Sequence, residues 1–120
     1  MEDVISSGMT EAAVEMLLDD AVPVVAIASR LARRWPDAPA LQLSLELASA
    51  ANAVEQMFRP TARTRARIEA LWRVAALIGA DIYLLQVLGR PHARAGDLAA
   101  YWASDDPLFG GERDVATRPS

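Results

Sequence analysis

This chain has no cysteine, no lysine and a single histidine, His92. Without cysteine there is no disulfide, no thiol nucleophile and no thiolate metal site. That composition suits a reducing, cytoplasmic setting. The acidic opening, MEDVISSGM, lacks the basic-then-apolar order of a signal peptide. An uninterrupted apolar run is missing as well: the longest stretch, Ala70 to Gly89, contains Arg73, Asp81 and Gln86. A charge at mid-membrane costs about 3 kcal/mol on insertion scales, so this stretch reads as a buried helix, and no membrane association is expected.

What is present is one domain's worth of chain, 120 residues rich in Ala and Leu. A domain of this size buries roughly two-thirds of its unfolded surface, enough for one core without staples. The net charge of −4 conceals an asymmetry. Residues 1–28 hold six acids and no Arg, whereas residues 29–73 hold eight Arg against four acids. The acidic end and the basic middle can pair within one subunit or between two.

Proline and glycine divide the chain into helices. A first helix is expected from about Thr10 to Asp20, with Thr10 as its N-cap and Glu11 and Glu15 near its positive end. Pro23 opens a second, which Pro36 stops after Trp35 and whose end carries Arg30, Arg33 and Arg34. A third runs from the Asp37–Pro39 restart to Phe58. Its opening, Leu41 to Leu47, alternates with period two like a strand. Helix is favoured because the segment lies in a long stretch free of Gly and Pro, in which Leu43, Leu47, Ala50, Val54 and Phe58 keep helical spacing.

The fourth and longest helix spans Thr61 or Thr64 to Leu88, with Gly89 and Pro91 as its stop. Along it Ile68, Leu71, Ala75, Ile78, Ile82 and Leu85 form a heptad seam. From Ala75 to Leu88 nearly every face is apolar, which predicts a central helix. A short fifth helix covers about Asp97 to Ser104. The tail from Gly110 to Ser120 has no apolar periodicity and is expected to be disordered, leaving residues 1–109 as the helical domain.

Few residues suggest chemistry. Arg59, Arg63, Arg65 and Arg67 form a dense basic cluster that could grip phosphates, although no aromatic interleaves it and the whole chain is acidic. A helix-turn-helix pattern in Thr10 to Leu47 is weak, because its connector is Trp-Pro-Asp-Ala-Pro and its second helix offers few polar side chains. Asp81 on an apolar stretch is expected to be a buried polar group. It is expected either to pair with an Arg such as Arg30, Arg34 or Arg73 or to take a partly exposed position, and Glu46, Asn52, Glu55 and Gln56 could face it across the hairpin. His92 reads as a surface residue, and no nucleophile elbow, phosphate loop or HExxH is present.

A second stripe on the fourth helix, Trp72, Ala76, Gly79 and Tyr83, lies beside the seam. Small residues there allow close approach of another helix. The expected fold is an all-α bundle of about five helices built round a long antiparallel hairpin. The expected function is that of a non-enzymatic interaction or assembly protein, self-associating as a dimer or holding another protein, without metal or cofactor. The alternative is a nucleic-acid-associated helical protein, a small regulator or DNA-packaging adaptor, that uses the Arg59–Arg67 cluster.

Overall fold

The computed structural model describes residues 2–57 and 59–104, with side chains from Gly8 onward. Over these residues the chain is an all-α bundle of five helices: α1 (Glu2–Leu18), α2 (Val24–Arg34), α3 (Ala40–Met57), α4 (Ala62–Val87) and α5 (Ala95–Ser104). The expected tail, Phe58 and Phe109 lie outside the described residues.

The prolines act as expected. Pro23 is the N-cap of α2, Pro36 follows its C-cap Trp35, and Arg33 and Arg34 occupy its last turn. Thr61 caps α4 by accepting the Thr64 N–H at 3.1 Å. At the far end Gly89 takes a φ of 70°, which only glycine adopts without cost. The Gly89 N–H then bonds the Gln86 carbonyl and the Arg90 N–H bonds the Leu85 carbonyl, the paired closure of a Schellman motif.

The start of α1 differs from expectation. The helix begins at Glu2, and Thr10 is an interior residue rather than a cap. Its hydroxyl donates to Glu46 Oε2 on α3 at 3.1 Å, so its polar capacity serves helix packing.

Helices α3 and α4 form the antiparallel hairpin. Two side-chain bonds fix its register: Ser44 Oγ donates to the Ala75 carbonyl at 2.7 Å, and Trp72 Nε1 donates to Glu55 Oε1 at 2.9 Å. The seam is buried at Ile68, Leu71, Ala75, Ile78 and Leu85, whereas Ile82 is only half-buried. Opposite it lie Leu43, Leu47, Ala50 and Val54 of α3, all fully buried.

The central helix is α3 rather than α4. It packs most extensively against α4 and α1 and also touches α2 and α5. The apolar composition of α4 around its whole circumference is therefore not matched by enclosure, because no described element covers its outer side.

A short strap joins two distant segments. Pro39 and Arg94 form an isolated antiparallel bridge, in which Ala40 N–H bonds the Ala93 carbonyl and Ala95 N–H bonds the Ala38 carbonyl. The Gly96 N–H adds a bond to the Pro36 carbonyl at 2.8 Å. The strap seats α5, and with it the fully buried Trp102, against α2 and α3.

Candidate functional site

The four arginines of the basic cluster do not act together. Arg67 turns toward α1, where its Nε donates to the Leu17 carbonyl at 2.8 Å and its Nη2 to the carbonyls of Met16 and Asp19, each at 3.0 Å. Leu17 and Met16 lie in the last turn of α1, the negative end of the helix, where a guanidinium is favoured in charge, and the Met16 and Asp19 carbonyls also accept the backbone N–H groups of Asp19 and Val22. Arg63, one turn earlier on the same face, makes an exposed ion pair of 3.6 Å with Asp20. Arg59 and Arg65 are exposed, and Arg65 lies on another side of α4. The acidic start and basic middle thus meet here within one chain.

Asp81 is half-buried rather than enclosed. Its Oδ2 accepts from the indole Nε1 of buried Trp102 at 2.8 Å. The acids of α3 could not meet it. The register that sets Ser44 against Ala75 puts Asp81 level with the connector before Ala40, so Glu46 meets Thr10 and Glu55 meets Trp72 instead. His92 is half-buried, with Nδ1 3.0 Å from the Arg90 carbonyl. Among the described residues no cluster of His, Cys, Asp or Glu could hold a metal, and no helix is long and apolar enough to cross a membrane.

An open cavity of ≈ 390 Å³ lies along the Trp35–Pro39 connector, with Arg34 and Gln42 on its walls. The Arg34 guanidinium sits 4.4 Å above the Trp35 ring. No pair of groups there is arranged as acid and base or as nucleophile and base.

The feature that calls for an explanation is the outer face of the hairpin. On α4 and its C-cap, Leu77, Tyr83, Leu84, Val87 and Leu88 are exposed, from 39% at Leu77 to 69% at Tyr83. Ala76 and Ala80 between them are exposed too. Leu77, Ala80, Leu84 and Val87 are spaced three, four and three, so α4 carries a second seam opposite the buried one. From Ala75 to Leu88 the only charged residue is Asp81, already bonded to Trp102.

The stripe singled out in the sequence runs along the α3 side of this face. Trp72, Ala76 and Tyr83 are exposed and Gly79 is half-buried. On α3, Leu41, Ala48 and Glu55 share one edge at seven-residue spacing, and Glu55 holds Trp72. Leu41 and its neighbour Leu45, 59% and 58% exposed, therefore border the same apolar surface. Periodicity marks the stripe from Trp72 to Tyr83 as a second apolar face of α4, and the packing extends the uncovered surface beyond it to Leu77, Leu84 and Val87.

Comparison with models of protein families, with curated proteins and with solved structures finds no match for this chain.

Proposed function

We propose that this protein is a non-enzymatic helical interaction protein that self-associates through the outer face of the α3–α4 hairpin. The observation that carries this is the exposed apolar face that Trp72, Ala76, Leu77, Ala80, Tyr83, Leu84 and Val87 form on α4, continued at Leu88 and bordered by Leu41 and Leu45. Soluble monomers rarely leave an apolar patch larger than a few hundred Å² in water, and such patches mark interfaces. Stable interfaces cover about 800 Å² per partner, the scale of area that eight large side chains, each more than a third exposed, can supply.

The test is light scattering on the intact chain at micromolar concentration, beside a Leu77→Asp/Leu84→Asp variant. The unmodified chain is expected at twice its 13.0 kDa mass. The variant is expected at the single mass with its helical circular dichroism retained, since both positions face water in the monomer. A single mass for the unmodified chain at every concentration overturns self-association.

The alternative, a nucleic-acid-associated protein, draws its support from exposed Arg59 and Arg65. It is weakened by the engagement of Arg67 with the end of α1 and of Arg63 with Asp20 in the turn that follows. It requires duplex DNA binding that falls steeply with salt, as counterion release dictates.

A further inference from the structure

The open cavity along the Trp35–Pro39 connector, ≈ 390 Å³, has the volume of a small-ligand site, about 300–1,000 Å³. Its walls are fixed by backbone bonds. The Pro36 and Ala38 carbonyls accept from the Gly96 and Ala95 N–H groups, each at 2.8 Å, and the Ala38 N–H bonds the Trp35 carbonyl at 3.2 Å. Pro36 and Pro39 hold their own φ angles. The half-buried Trp35 ring rests against α1, where a Cβ added at Gly8 would lie 3.5 Å from Cζ2. A ligand entering here meets walls that are already in place, which lowers the entropy lost on binding.

Two polar groups on these walls have capacity to spare. The Arg34 guanidinium sits 4.4 Å above the Trp35 ring, yet Arg34 has no ion pair among the described residues. A cation–π contact occupies the ring face and not the N–H donors, which are left to receive a carboxylate on two bonds. The half-buried Gln42 side chain likewise makes no hydrogen bond among the described residues. The carboxylate on the wall, Asp37, is already paired with Arg94 at 3.4 Å. The rest of the lining is apolar: the indole, the two proline rings and Ala38.

We propose that this cavity binds a small aromatic monocarboxylate. Arg34 receives the carboxylate, Gln42 offers its amide to the polar end, and the ring lies against Trp35, Pro36 and Pro39. Charge selects a monoanion. Arg34 is the one cation on the wall, and it balances one negative charge. A phosphate dianion would bring a second negative charge toward the Asp37 carboxylate, and a cationic ligand would face Arg34, so both are disfavoured. Binding here is independent of the self-association proposed above.

The test is titration of the intact, nitrogen-15-labelled chain with sodium benzoate, followed by NMR. The chain has three tryptophans, and a Trp35→Phe variant identifies the indole N–H signal of Trp35. Benzoate is expected to shift the Trp35 indole and the Gln42 side-chain amide along one saturating curve with a millimolar Kd. The Trp102 indole, sealed in the core, is expected to stay in place. Acetate lacks the ring, benzyl alcohol lacks the charge, and inorganic phosphate carries too much of it. Each should bind about ten-fold more weakly than benzoate, and Arg34→Gln should lose benzoate affinity by about the same factor, as expected for a charge-assisted bond. Helical circular dichroism should be retained in that variant, since Arg34 is exposed. No saturating shift at Trp35 overturns the proposal. Benzyl alcohol binding as tightly as benzoate, or an unchanged benzoate affinity in Arg34→Gln, overturns it by revealing an apolar crevice without an anion site. Acetate or phosphate binding as tightly as benzoate overturns it by revealing a surface arginine alone. The benzyl alcohol comparison uses the unmodified chain, so it decides the role of charge even if Arg34→Gln fails to fold.

Discussion

Arg67 and Leu17 are fifty positions apart, and the guanidinium Nε of one lies 2.8 Å from the carbonyl oxygen of the other. The same side chain reaches Met16 and Asp19, so one arginine closes the end of α1 and ties it to the hairpin. A substitution separates this role from a surface charge. Arg67→Ala should destabilise the fold by about 1.5–3 kcal/mol, the range for hydrogen bonds to a charged group. Arg67→Lys should recover only part of the loss, since an ammonium lacks the planar fork that serves several carbonyls at once. Urea denaturation of both variants beside Arg65→Ala checks this, and Arg65→Ala should fall within about 0.5 kcal/mol of the unmodified chain.

Two helical glycines should respond to alanine with opposite signs. At Gly79 an added Cβ meets nothing within 4 Å, so Gly79→Ala should stabilise by about 0.5–1 kcal/mol through helix propensity alone. At Gly96 the same atom would lie 3.1 Å from the Pro36 carbonyl oxygen and 3.2 Å from the Pro36 Cβ. The strap holds that backbone in place through the Gly96 N–H bond, so it cannot yield cheaply. Gly96→Ala should therefore be net destabilising, with an overpacking cost of about 1–3 kcal/mol set against its helical gain. Thermal melts of the two variants, recorded side by side, should move in opposite directions.

Ile78 and Ile82 belong to one seam but differ in enclosure. Ile78 is fully buried, and Ile78→Ala should cost about 2–5 kcal/mol. Ile82 is half-buried, and Ile82→Ala should cost about 1–2 kcal/mol because part of its surface already contacts water. Equal losses in chemical denaturation at low protein concentration would mean that Ile82 is as enclosed as Ile78.

Helix ends set by local chemistry were legible in the sequence. Pro23, Pro36, Thr61 and Gly89 each act through their own backbone or side chain, and α2, α3 and α4 begin and end within a residue or two of expectation. The buried seam of α4 was legible for a related reason, since periodicity reports which residues share a face. What periodicity cannot report is whether a face is covered. Apolar residues run all round the second half of α4, and only the packing distinguishes Ile78 from Leu84. Long-range polar contacts were hidden for a different reason. Nothing near Arg67 in the chain points to α1, and nothing near Thr10 points to Glu46. The strap was equally silent, because backbone amides pair without regard to side-chain type.

That strap also bears on the order in which the chain can close. Joining Pro39 to Arg94 in an otherwise unfolded chain would confine everything between them, and the entropy of such a loop grows with its length. Once α3 and α4 have zipped together, Ala40 and Val87 already lie at the same end of the hairpin, and only the short segment from Leu88 to Ala93 remains to be closed. The hairpin, built from contacts close in sequence near its tip, therefore lowers the barrier to the strap, whereas the strap does little for the hairpin until its helices exist. Docking of α5 and burial of Trp102 accompany closure of the strap, so in a chain with Trp35 and Trp72 replaced by Phe the remaining indole is expected to report that closure.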